Sequence, residues 1–158
     1  MFEITYDTTE LIQAIDRLEG LSYESFLKDT GQYIEKQIQK RLKAGVDVEG
    51  DPFTPLSEKY AERKASAGFG GQPILTATGA LGRSLITEIL GDDESLTTVH
   101  GTHAPIPGLT KVTEEMIAIA ERHEFGLNIP QRQFLDINDV DIDWIMDRFS
   151  KIFAPDLR

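Results

Sequence analysis

At 158 residues, with 40% hydrophobic and 27% charged side chains, the chain is long enough for one modest core, and its composition excludes wholesale disorder. A formal net charge of -11 argues against a protein that grips nucleic acid, since phosphate binding draws on clustered Lys and Arg. The absence of cysteine excludes a disulfide framework and a thiolate zinc site, and no apolar run approaches the roughly 20 residues that span a bilayer.

Met1-Phe2-Glu3-Ile4 lacks a basic region followed by an apolar one, so neither secretion by that route nor membrane insertion is expected. Phe2 to Tyr6 alternates apolar and polar residues and predicts a short strand. A helix capped by Thr9 follows, with Leu11, Ile12, Ile15 and Leu18 on one face and Gly20 as its stop. From Ser22 to about Lys43 the spacing of Tyr23, Phe26, Leu27, Ile34, Ile38 and Leu42 predicts a longer helix. Its other side carries Glu35, Lys36, Lys40, Arg41 and Lys43, and Gly45 is placed for a left-handed C-terminal cap.

Val46 to Ile74 is broken by proline and glycine, with a short helix expected from Ser57 to about Ala65; so long a connection suits an arm that lies on a neighbouring subunit. Leu81 to Leu90 and Ser95 to Gly101 predict antiparallel strands around the turn Gly91-Asp92-Asp93-Glu94. A loop from His103 to Thr113 leads to a helix over Glu114 to Glu124, and Pro130 to Leu135 predicts a proline-led strand. Asn138 with Asp141 three residues on signals the start of a final amphipathic helix that ends near Ala154-Pro155. The whole is one α+β domain over residues 1–158, with a flexible arm at about 46–74 and a loop at about 103–113. A small, mostly antiparallel sheet packs against the long N-terminal helix and the C-terminal helix, with long extended loops between.

Reactive chemistry is hard to find. His100 and His103, with His123 downstream, are the one cluster that suggests a metal-dependent hydrolase, but Gly101 and Thr102 intervene and no preformed ligand pair results. A partly buried His123 whose ring meets a backbone carbonyl is the plainer expectation. The run from Asp136 to Asp143 fails as a calcium loop: Val140 occupies a ligand position, Asp141 stands where the loop's glycine turns the chain, and the bidentate Glu is absent. A helix start rich in carboxylates explains it. Gly68-Phe69-Gly70-Gly71 lacks the lysine of a phosphate loop, and Ser57, Ser66, Ser84, Ser95 and Ser150 sit in no nucleophile-elbow context. No catalytic, cofactor-binding or metal-binding residue is assigned.

Three stretches carry a more specific signal: Gly50-Asp51-Pro52-Phe53-Thr54-Pro55-Leu56-Ser57 with Tyr60 and Lys64; Ile74-Leu75-Thr76-Ala77-Thr78-Gly79-Ala80-Leu81 with Ser84; and His123-Glu124-Phe125-Gly126 followed by Ile129-Pro130-Gln131-Arg132-Gln133-Phe134-Leu135. In this order they resemble the phage virion morphogenesis, or tail completion, family of Mu-like phages, which is similar to tail-terminator and head-tail joining proteins. The likeness covers about residues 30–153. Phe53 stands where that family usually has Trp, and Gln131 and Gln133 where it has Ala and Pro.

The resemblance implies a structural protein, not an enzyme, of a bacteriophage or prophage, made in the host cytoplasm and carried in the virion tail. It would form a homo-oligomeric ring, with a hexamer as one candidate, that contacts the tail tube and the head-tail connector. DNA would pass through without specific binding, along an acidic lumen. A head-closure or neck adaptor on the head side of the joint is the alternative. The assembly and structural residues it points to are Phe53, Leu56, Leu75, Gly79, Leu81 and His123, together with Phe125, Gly126, Pro130, Arg132, Phe134 and Leu135. Among them Leu75 and Leu81, with Leu85, would anchor the sheet to the long helix, Gly79 would permit the turn between, and Arg132 would pair with a carboxylate of the sheet or of a neighbour.

Overall fold

A computed structural model describes residues 23–90 and 94–154. The strand expected at Phe2 to Tyr6, the helix from Thr9 and most of the turn at Gly91 to Glu94 lie outside the described residues. The first described helix, α1, spans Glu24–Ala44 and buries Ile34, Ile38 and Leu42, which the helical period places on one face. Gly45 caps it with φ 73°, a left-handed turn whose N–H reaches Arg41 O and Leu42 O. Arg41, expected among the outward cations, is buried instead. Its position, three residues after Ile38 and seven after Ile34, puts it on the apolar face whatever its charge.

The segment beyond Gly45 is tied to its own chain. Val46 bridges Pro52, the Asp47 carboxylate accepts the N–H groups of Glu49 and Asp51, and Val48 and Phe53 are buried. Helix α2, Glu58–Lys64, runs into a π-helical turn over Ala65–Phe69, where Gly68 takes φ 88°. The Lys64 ammonium closes this turn from within, donating to Gln72 O at 2.6 Å and Pro73 O at 2.8 Å.

The strand expected from Leu81 begins later. Gly79 at φ 68° starts a single helical turn, α3 (Ala80–Arg83), and only then does β1 (Leu85–Leu90) run antiparallel to β2 (Glu94–Val99), with Leu85 opposite Val99. The turn arises because Ser84 N reaches Ala80 O and Ser84 Oγ reaches Leu81 O, and it directs both Leu81 and Leu85 inward at a spacing of one helical turn. A second antiparallel pair joins β3 (Thr102–His103) to β4 (Glu114–Glu115) and closes the loop between them. Helix α4 follows at Met116–Phe125, two residues after its expected start, because Glu114 and Glu115 belong to β4.

Pro130 to Leu135 is extended but forms no ladder. Three of its N–H groups are engaged elsewhere, that of Arg132 by His123 O and those of Phe134 and Leu135 by the Glu124 carboxylate. Helix α5, Asp139–Phe153, starts at the expected box: Asp141 N donates to Asn138 Oδ1 at 3.0 Å and Asn138 N to Asp141 Oδ2 at 3.2 Å.

The core gathers Ile34, Ile38 and Leu42 of α1 with Phe53, Leu81, Leu85, Val99, Met116, Ala120 and Phe134, and Ile145 of α5 packs against it. Helix α1 lies against the hairpin closely enough that a Cβ on Gly31 would come within 2.1 Å of Thr87 Cγ2. On its other flank α1 meets α5: Tyr33 stacks on Trp144 with centroids 3.9 Å apart, and Phe26 meets Phe149 and Phe153 edge to face. Arg41 forms a buried ion pair with Asp141 and also donates to Asp136 O at 2.6 Å, so the end of one helix is fastened to the beginning of the other.

Candidate functional site

The His123-Glu124-Phe125-Gly126 box and the extended segment after it interlock. Gly126 ends α4 at φ 68°, a conformation that favours glycine, and a Cβ there would stand a tight 3.1–3.3 Å from Gln131. The chain then folds back, so that Arg132 N donates to His123 O at 2.7 Å and the Gln131 amide to Glu124 O at 2.9 Å. Glu124, though buried, keeps its carboxylate satisfied: Oε2 accepts the N–H groups of Phe134 at 2.9 Å and Leu135 at 3.1 Å. That double contact seats the Phe134 ring in the core at 0% exposure.

Arg132 carries the lock outward. The residue is 4% exposed, and its guanidinium donates to Thr54 O at 2.9 Å, Pro55 O at 3.3 Å and Pro130 O at 3.1 Å. Within the chain these carbonyls, and no carboxylate of the sheet, meet it: the fork of N–H donors fits a bend of backbone, and it pins the Phe53 to Leu56 stretch against the α4 end. His123 Nδ1 lies 3.4 Å from Arg132 Nη1, so the ring faces the guanidinium and not the backbone carbonyl expected for it. Burial first, then Arg132 and Arg122, push the imidazole down from 6.5 to about 4, and it is neutral near pH 7.

Beside this lock lies an open groove of about 670 Å³. Leu56, Tyr60 and Lys64 line it from the 46–74 segment, and Ile106, Leu109 and Lys111 from the 103–113 loop. The 46–74 segment, expected to lie on a neighbouring subunit, and the 103–113 loop are thus neighbours, and Arg63 ties them by donating to Leu109 O at 2.6 Å. Leu75, which also lines the groove, holds φ 69°, a left-handed conformation that bulky side chains seldom adopt.

The expected site residues divide by this geometry. Phe53, Leu81 and Phe134 are core, together with Leu85, and Leu75 and Leu135 pack against it. Leu56, Leu75, Leu81, His123, Pro130 and Arg132 line the groove. Gly79 and Gly126 supply left-handed turns, and Phe125 stands 66% exposed. The burial of three charged groups was not read from the sequence: Arg41 with its partner Asp141, Glu124, and Lys64 in its carbonyl cage. Glu124 and Lys64 stand within the motif stretches, and the meeting of a basic helix end with an acidic helix start was the signal for the pair.

The three histidines do not come together. His100 is exposed, the His103 ring meets Thr78 Oγ1 at 3.2 Å, and His123 is held by Arg132, so the three histidines have separate partners or none in common. Among the described residues no three His, Cys, Asp or Glu side chains converge to hold a metal ion, which removes the geometric basis of the hydrolase reading. No described helix is long and apolar enough to cross a membrane.

Compared with known proteins, residues 7–154 match the model of the phage virion morphogenesis family. No curated protein and no solved structure matches significantly.

Proposed function

The chain belongs to the phage virion morphogenesis family, and from that footing we propose that it is a non-catalytic structural protein that completes or terminates the phage tail as a ring at the head-tail joint. The observation that carries this reading is the use made of the motif residues. Arg132, His123 and Glu124, side chains that could serve chemistry, are engaged with the chain's own backbone or with each other, and they build a stiff frame. What that frame presents is a surface: a groove flanked by two long connecting segments, and exposed apolar side chains such as Phe125 and Val140.

A head-to-tail contact between identical copies closes into a ring when its rotation permits. Tail tube on one side and head connector on the other are the partners such a ring would meet. Its excess of carboxylates would let DNA slide past without adhering. Electron microscopy of the purified chain at high concentration, alone and with tail tubes, tests this: rings or capped tubes are expected, and their absence under both conditions defeats it. Copurification with portal and not with tube would move the protein to the head side of the joint.

A further inference from the structure

We propose that the groove receives the acidic, apolar shoulder at the start of α5 from a second copy of the chain. The inference rests on the ring reading and deepens it, by naming the two unlike surfaces that meet.

Charge points to the occupant. In a chain of net charge -11, the groove is lined by four cations, Lys64, Lys111, Arg122 and Arg132, and by one carboxylate, Glu114. Glu114 is already paired with Arg122 at 3.0 Å. Lys64 and Arg132 are buried and solvated by carbonyls, which satisfy their N–H groups without cancelling their charge. Their fields therefore reach into the groove through a poorly screening interior. The rest of the lining is largely apolar, with Leu56, Ile74, Leu75, Leu109 and Ile119.

The shoulder has the opposite character in both respects. Asp136, Asp139 and Asp143 are exposed there, interleaved with Ile137 at 42%, Val140 at 70% and Ile142 at 43% exposure. Asp141, the one carboxylate of the run that turns inward, is committed to Arg41. Carboxylates alternating with bare apolar side chains are what an apolar groove with excess cations selects. No described residue beyond Arg132 lines the groove, so groove and shoulder use different residues, and one copy can offer both at once. Such a contact repeats head to tail. A symmetric dimer that buried groove on groove would instead oppose like charges.

Because the chain has no cysteine, single cysteines report the contact cleanly. Full-length Val112→Cys, at the groove's rim, and Val140→Cys are mixed under a thiol oxidant. Mixed 112–140 dimers are expected to dominate over the dimers either variant forms alone. In parallel, Lys111→Glu and Asp139→Lys, both at exposed positions, are each expected to weaken self-association roughly tenfold or more, and a chain carrying both to recover it. Unchanged circular dichroism shows that these variants fold. Rings that form with 112–112 or 140–140 dimers in the majority, or that ignore the charge reversals, overturn this inference and leave the ring standing. Cross-linking of Val112→Cys to tail-tube protein alone also overturns it. No self-association in any variant or in the parent chain, with or without tubes, removes the ring reading and this contact together.

Discussion

Burying a guanidinium is costly unless its donors are met, and at Arg132 three backbone carbonyls meet them. Removing the side chain leaves those carbonyls without donors and frees the Phe53 to Leu56 stretch from the end of α4. Arg132→Ala is therefore expected to cost about 3 kcal/mol in urea unfolding, and Arg132→Lys about half that, because an ammonium offers donors but not a planar fork. An Arg132→Ala midpoint equal to the parent's would show that the lock contributes nothing. His123 adds a pH dependence. The unfolded chain takes up a proton on this ring near pH 6.5, whereas the folded chain resists until about 4, so the neutral ring's contribution is complete above 6.5 and is lost as pH falls from 6.5 toward 4. The full shift would amount to more, but the ring's partial exposure reduces the expected loss to about 2 kcal/mol. Carboxylates titrate in the same range, so the measure is the difference between parent and His123→Gln stability curves. Parallel curves from pH 7 to pH 4 would contradict the assignment.

Helix α1 and the hairpin meet at Gly31, where two effects of known size compete. Alanine in a helix interior is favoured over glycine by roughly 1 kcal/mol, whereas forcing a methyl into a filled contact costs about 1–3 kcal/mol. With Thr87 Cγ2 only 2.1 Å from the added carbon and Thr87 held by its hydroxyl contact to Thr97 at 3.0 Å, overpacking should win. Gly31→Ala is expected to lower stability by about 1 kcal/mol. Thr87→Ser, which removes the clashing methyl and keeps the hydroxyl, should turn the same substitution neutral or stabilising in a double-mutant cycle; persistence of the cost in both backgrounds would place the strain elsewhere. Elements whose causes are local were legible in the sequence. The apolar period gave α1 and α5, Gly45 ended the one and the Asn138–Asp141 box began the other. Elements decided by distant partners were not. The turn Ala80–Arg83 looked like the head of a strand because Leu81 and Leu85 are equally apolar in either geometry, and 130–135 looked like a strand because nothing local reveals that Glu124 claims its N–H groups.

At the scale of the molecule, the motifs marked the residues of the lock but not its connections, since Arg132 reaches carbonyls 77 and 78 positions away. The groove was invisible for the same reason: its walls come from separate stretches between Leu56 and Arg132, none of which reads as a binding motif alone. Charge shows how such a surface operates in an acidic protein. Two copies at -11 each repel over long range, while the proposed contact attracts over short range. Salt distinguishes the two ranges, because the screening length falls from about 30 Å at 0.01 M to about 8 Å at 0.15 M, so repulsion between distant carboxylates is felt at the first and largely screened at the second. Contact pairs that are partly shielded from solvent are weakened much less over the same interval. Self-association followed by sedimentation velocity should therefore rise from 0.01 M to about 0.15 M salt and decline only gradually beyond. With Lys111→Glu the attraction is reversed as well, so assembly should be weaker throughout and increase steadily with salt. A parent chain whose assembly falls from the lowest salt upward would mean that attraction outweighs net repulsion at every distance, and the balance described here would be wrong.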